Sequence, residues 1–378
     1  MRRCIFFLLI LSLALPAFSE AHRAAEQVTV PQLEQTLAAT AGKSDKQVAQ
    51  QLSELVLTER LSESRRARLQ AALPGPESRQ ALMTLTDASE FLDLPETDIP
   101  TTPVPSHAEQ IALLSQARGY VMKTILKLPN FFATRETVNF EGTPGVPQGN
   151  ALHPPKFEPM HEVNRSSVTV LYRDNREMVV KGKKQEASNK EMRTMGEFGP
   201  ILVTILNDAA KGRVTWSHWE QGAAGPMAVF RYAIPVQVSH YLVASSGIGQ
   251  PLHHDPAYHG EIALNPADGS ILRLTAIAEP QADDPVSTAD LLVDYGPVKI
   301  GGVPYICPTK SVAFSVVRMV IQELDFDTGA VTGTSLGPSR TYLNEVLFTQ
   351  YHLFRAETRI LTGSNQEPDA VTPANPPK

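Results

Sequence analysis

Hydrophobic positions change period near residue 128, and that change divides the chain. Between about 29 and 127, apolar side chains recur at helical spacing. Leu33 pairs with Leu37, Val48 with Leu52 and Leu55, and Ile111, Leu114, Val121 and Ile125 follow. Thr29-Val30-Pro31-Gln32, Ser44-Asp45-Lys46-Gln47 and Ser106-His107-Ala108-Glu109 each have capping-box spacing. In that arrangement a hydroxyl satisfies an early backbone N–H while Gln or Glu reaches back. Pro95, Pro100, Pro103 and Pro105 mark a linker. Glu59, Arg60, Glu63, Arg65, Arg66 and Arg68 read as a solvated face, with a partner-docking surface as the alternative.

Beyond Leu128-Pro129 the pattern alternates, as strands do. Strands are expected at Phe131–Phe140, at Val168–Tyr172 with Met178–Lys181, and at Val214–Glu220 with Met227–Ile234. Glu261–Leu264 and Ile271–Ile277 flank Asn265-Pro266-Ala267-Asp268-Gly269, where Pro fixes φ and Asp-Gly supplies the turn. Leu291–Tyr295, Val303–Cys307, Ser311–Met319, Thr341–Tyr351 and Phe354–Leu361 complete the series, and Phe198–Ala210 is the one helix within it. Consecutive hairpins predict an α+β fold, with one strongly curved antiparallel sheet, an open half-barrel, covered by helices. Alternation assigns Phe230 with Tyr232, Ile262 with Leu264, and Leu272 with Leu274 to the apolar side. Arg231, Glu261, Asn265 and Arg273 fall on the other. Trp216 and His218 are expected on one face of their strand and Trp219 on the other.

Composition adds a compartment. Met1-Arg2-Arg3, the apolar run Cys4–Leu15 and the small residues before Glu20 have the form of a secretory signal peptide, placed at 1–21. The run is too short for the ~20 residues of a membrane span. The expected divisions are then a helical segment with its linker at 22–100, a lid helix plus curved β domain at 101–362, and a disordered tail at 363–378. The location implied is periplasmic or secreted, with no transmembrane segment after processing. Cys307 would be the single remaining cysteine, which excludes a disulfide framework and a multi-cysteine metal site. With 34 Lys+Arg against 40 Asp+Glu and no basic stripe, nucleic acid is not an expected partner. Lys181-Gly182-Lys183-Lys184 reads as a solvated loop.

Candidate chemistry is sparse. His253, His254, Asp255, His259 and Glu261 could ligate zinc, but Pro256 and Gly260 keep them in a loop where ligands are not preorganised. Ser245-Ser246-Gly247-Ile248-Gly249 lacks the nucleophile-elbow pattern, and nothing near Cys307 would lower its pKa. No cofactor and no catalytic set is expected. Trp216, Phe230, Tyr232, Leu272 and Leu274 remain as residues that could line an apolar cavity, or equally form ordinary core.

The stretch Gly260–Leu274, a strand, an Asn/Asp turn with Gly269, and a strand opening on Arg273, resembles a hairpin of the periplasmic lipoprotein-carrier superfamily, the outer-membrane lipoprotein-sorting proteins and their relatives. Leu128-Pro129-Asn130-Phe131-Phe132 is similar to the segment that leads into that family's first long strand. The chain also resembles uncharacterised exported bacterial proteins in Gly196-Glu197-Phe198-Gly199-Pro200. The carrier resemblance implies an apolar cavity held by a curved sheet under helices, with lipid or lipidated protein as partner. The N-terminal helices and the loops Gly142–Pro159 and Ser246–Tyr258 depart from that family. The expected function is thus a non-enzymatic carrier of a lipid, acyl chain or lipidated peptide. The alternatives are an envelope interaction module docking through its N-terminal helices and a zinc-dependent hydrolase.

Overall fold

A computed structural model describes residues 24–124, 127–145, 157–174, 176–180, 197–223, 225–246, 251–325 and 328–354. The expected signal peptide, the tail at 363–378, the Lys181–Lys184 cluster and the closing strand beyond Phe354 lie outside these residues. The chain is a mixed α/β structure dominated by a ten-stranded antiparallel sheet.

The N-terminal unit has its own small core. Strand β1 (Glu26–Val28) pairs in parallel with β2 (Leu55–Leu57), and helices α1 (Val30–Ala38), α2 (Asp45–Ser53), α3 (Glu63–Ala72) and α4 (Pro76–Ser89) pack around them. Val30, Leu33, Val48, Leu52 and Leu82 meet there. Thr29 and Ser44 cap α1 and α2 with both bonds of the capping box formed. Gly75 has no side chain to cap α4, so Asp45 does it from α2, accepting from the N–H groups of Glu77 (3.0 Å) and Ser78 (2.9 Å). Bonds from Ser78 hold the Asp45 carboxyl below its usual pKa.

The Pro-rich stretch leads to α5 (His107–Thr124), whose Ser106–Glu109 capping box also forms. The strands follow: β3 (Phe131–Gly142), β4 (His161–Arg173), β5 (Arg176–Val179), β6 (Arg213–Gly222), β7 (Gly225–Ile234), β8 (Val243–Ser246), β9 (Pro251–His254), β10 (Ala257–Leu264), β11 (Ile271–Glu279), β12 (Val286–Ile300), β13 (Val303–Leu324) and β14 (Val331–Leu353). Helix α6 (Pro200–Ala209) lies between β5 and β6. The order across the main sheet is β5-β4-β3-β14-β13-β12-β11-β10-β7-β6, so among the described residues β5 and β6 are the edges and the sheet does not close. Strands β8 and β9 pair separately.

Side chains alternate between two covered faces. One face carries Phe230, Tyr232, Ile262, Leu264, Leu274, Leu291 and Val293, packed under Ala117 and Val121 of α5 and Leu202 and Ile205 of α6. The opposite face carries Val138, Phe140, Leu292, Val312 and Leu343, packed against Ala88 of α4 and Phe91 just after it. The hairpin β10–β11 is fastened to α5. Its turn needs Gly269 twice over: φ is +74°, and a Cβ would come within 2.7–2.8 Å of the backbone of Gln116 and Ala117. Gln116 Nε2 donates to Ala267 O at 3.0 Å across the same contact.

Among the described residues, one buried carboxyl in β12 stands without a countercharge. Asp290 is 6% exposed and its Oδ1 has no partner. Burial pushes its pKa from the ordinary 3.8 up to about 7, against one backbone hydrogen bond from Ala278. Between pH 4 and 7 the folded chain therefore holds more protons than the unfolded one, and stability falls as pH rises through that window. Asp290→Asn removes this cost. A tenfold difference in proton affinity is worth about 1.4 kcal/mol, so denaturant unfolding at pH 8 is expected to show a gain of about 2–4 kcal/mol. That gain should disappear by pH 4.

Candidate functional site

Two β-bulges redirect the side chains named from the sequence. On β6 the register with β7 shifts between Trp216 and His218, so Trp216 pairs with Phe230 and His218 with Val229. One extra residue reverses which face each later side chain meets. Trp219 thus joins Trp216 on the α5/α6 face, their rings 5.0 Å apart, while His218 goes to the other side beside Glu220. This corrects the expected grouping of Trp216 with His218. On β11 a shift opposite Ala263/Leu264 separates Leu272 from Leu274. Leu272 packs with Met227, Val229 and Ala263 on the face of the N-terminal unit.

Of the five residues proposed to line a cavity, four are therefore together and one is not. Phe230, Tyr232 and Leu274 are 1–2% exposed, and Trp216 packs edge-on against Phe230 at 5.3 Å. Tyr232 Oη donates to Thr275 O at 2.5 Å, and the missing side chain of Gly260 leaves room for it. These residues are interior packing. Space lies on the other side of the sheet.

A cleft of about 970 Å³ separates α2, β2 and α4 from the outer face of β3, β4, β13 and β14. Leu52 and Leu85 line it from the helical unit, and Phe140, Met160, Phe314 and Val316 from the sheet side. Its size is at the upper end of small-molecule sites. Two of its lining residues, Gln80 and Thr341, carry buried polar atoms (Nε2 and Oγ1) with no hydrogen-bond partner among the described residues. The charged rim is nearly balanced: Lys46 and Arg165 against Glu77 and Glu162, with Arg165 holding Glu162 at 2.8 Å.

Buried ion pairs hold the helical unit over this cleft. Lys310 of β13 binds Asp87 of α4, with Glu345 at 4.0 Å. Burial pushes Asp87 up and would lower Lys310, yet Asp87, Glu90 and Glu345 together raise the lysine and keep it charged. Farther along, Arg60 Nη2 reaches Glu220 Oε2 at 2.8 Å, and Arg273 grips the same carboxylate through two bonds of 2.6 and 2.5 Å. Glu261 lies 3.8 Å from Arg60 and 3.0 Å from Arg231, and Arg231 also binds Asp93. Burial works against the Glu220 charge, but Arg273, then His218 and Arg60, outweigh it and hold the carboxyl far below its ordinary pKa. Glu220 above all, with Asp294 and Glu90, drives Arg273 upward against burial.

Arg60 is thus not on a solvated face: it is 3% exposed and docks the helical unit onto its own sheet. Its position between the buried Leu57 and Leu61 was the available signal. The placement of Arg231, Glu261 and Arg273 on the polar-bearing face agrees with the sequence pattern. In the histidine loop, His259 Nδ1 pairs with Glu279 at 2.7 Å at the surface, and the side chains of His253 and His254 lie outside the described residues. Among the described residues no group of three or more His, Cys, Asp or Glu is placed to hold a metal ion. Cys307 is fully buried and its thiol is pushed up to about 12 by that burial.

Comparison with known protein families, with characterised proteins and with solved structures gives no match. No helix among the described residues is long and apolar enough to cross a membrane.

The ionic row sets a testable stability. Glu220→Gln strips two buried guanidiniums of their countercharge and is expected to cost about 3–5 kcal/mol at pH 7. The folded Glu220 pKa is depressed, so its contribution is complete above the ordinary value of 4.5 and fades as pH falls toward the folded one. Guanidinium unfolding should show the gap between parent and variant narrowing from pH 5 to pH 2.

Proposed function

We propose that this chain is a non-catalytic binding protein that holds an acyl chain, as a lipid or a lipidated peptide, in the cleft between its helical unit and the sheet. The observation that carries this reading is the cleft itself: roomy, with aliphatic side chains on the helical wall and aromatic ones on the sheet wall. Burial alone supplies the affinity, at about 0.8 kcal/mol for each CH₂ withdrawn from water. The unpartnered Gln80 and Thr341 atoms would orient a polar head, and a balanced rim neither attracts nor repels a strongly charged one.

A sheet bent into an open half-barrel, an exported location and kinship with the lipoprotein carriers belong to the same proposal. The site differs from the one expected from the sequence, because the ligand would sit on the face opposite Trp216 and Phe230. The second reading, an envelope interaction module, is favoured by the buried, packed state of the α5/α6 face.

A fluorescent C16 fatty acid titrated into purified protein is expected to bind saturably at micromolar concentration. Ala49→Phe, which fills the cleft from α2, should weaken binding at least tenfold. Trp216→Phe should leave it unchanged, and the emission of Trp216 and Trp219 should not respond to ligand. Absence of saturable binding, or loss of it in Trp216→Phe alone, overturns the reading.

A further inference from the structure

The two longest strands outrun their neighbours. Strand β12 leaves β13 at Val286 opposite Val317, and Arg318 N–H makes the last bond on that side, to Pro285 O at 2.7 Å. Strand β3 leaves β14 at Gly142 opposite Thr341. Beyond these points, among the described residues, β13 and β14 pair only with each other, Val320 opposite Leu336 and Glu323 opposite Gly333. Arg318 fixes the root on one side by donating to the carbonyls of Ala282 and Asp284, and Arg340 fixes it on the other by binding Glu158 at 2.5 Å. The result is a two-stranded arm on which Met319, Ile321, Leu324, Val331 and Leu336 are 38–59% exposed. Isolated ribbons of two strands are marginal in water, and exposed apolar edges invite another strand.

The two edges of the arm are not alike. The β14 edge carries Gly333, Gly337 and Pro338, residues that interrupt or cannot donate to a ladder. The β13 edge, Met319-Val320-Ile321-Gln322-Glu323-Leu324, has neither Gly nor Pro, and among the described residues no strand lies beside it. Its one charge is Glu323. A parallel, in-register neighbour would set Glu323 against Glu323, which is unfavourable. An antiparallel copy turned about Ile321 sets Met319 against Glu323 and Ile321 against Ile321. The two carboxylates then stand four residues apart, roughly 13 Å at ~3.3 Å per residue and beyond a Debye length of about 8–10 Å. The edge is therefore complementary to itself under a two-fold axis, the geometry of an isologous dimer.

We infer that a second copy of this chain occupies that edge, so that two arms join through β13 into a four-stranded antiparallel ribbon. The arm lies outside the packed cores, so its variants should fold as the parent does. Light scattering after size exclusion is expected to show a concentration-dependent dimer that Ile321→Lys converts to monomer, with thermal unfolding unchanged at concentrations where the parent too is monomeric. In a Cys4→Ser background, Ile321→Cys should form a disulfide-linked dimer on mild oxidation. Buried Cys307 is not expected to compete, and Thr334→Cys on the opposite strand should not crosslink. A monomer at all concentrations, a dimer that survives Ile321→Lys, or crosslinking through Thr334→Cys instead of Ile321→Cys overturns the inference. None of these readings depends on whether the cleft takes a lipid.

Discussion

A sheet with apolar side chains on both faces has to be covered twice. In this chain the two covers are made in different ways. Helices α5 and α6 lie on one face through aliphatic and aromatic contacts that interlock around Phe230, Tyr258 and Leu274. The N-terminal unit lies on the other face, where charge is buried with it: Arg60, Glu220 and Arg273 at one place, Asp87 and Lys310 at another. Dispersion contacts tolerate small displacements, whereas a desolvated ion pair loses its compensation as soon as its geometry opens. The position of the helical unit is consequently set at the ion pairs and at the contacts of Ala88 and Phe91 with the sheet. The cleft is what that arrangement leaves.

This division of labour explains why the open space is on the less apolar face. Where α5 and α6 pack, rings meet rings, as in Trp216 with Trp219 and Phe230 or Tyr258 with Tyr232 and Tyr241. A close-packed interior of that kind leaves little room for a guest. On the other face the charged contacts hold α4 near Lys310, while α2 and β2 stand away from β3 and β4. Phe314 and Phe140 then line the gap and do not fill it.

How far the sequence carried this structure follows from which signals are local. The capping boxes at Thr29, Ser44 and Ser106, and the Asn265–Gly269 turn, depend on neighbours within a few residues and are all present. Face assignment is different, because it depends on strict two-residue alternation over a whole strand. The bulge after Trp216 and the one opposite Ala263/Leu264 each insert a single residue, and neither Ser217 nor Leu272 has a composition that announces it. Trp219 and Leu272 change sides as a result. The charged pairs were beyond reach for another reason. Arg60 and Glu220 are 160 residues apart and Asp87 and Lys310 are 223 apart, so each looks solvated until its partner is in place.

The same reasoning separates the two surfaces to which function is assigned. The cleft is walled by the chain's own long-range contacts, so a guest there would be limited by volume and by the two polar atoms of Gln80 and Thr341. Among the described residues the β13–β14 arm has no such enclosure and is held at its root by Arg318 and Arg340. A cavity selects its guest by shape and desolvation, whereas a bare strand edge selects by backbone pairing and register. Because backbone pairing is common to all strands, discrimination at the arm must come from charge placement, and on the β13 edge Met319–Leu324 the one charge is Glu323. Glu323 at the outer end of Met319–Leu324 permits the antiparallel two-fold and opposes the parallel one.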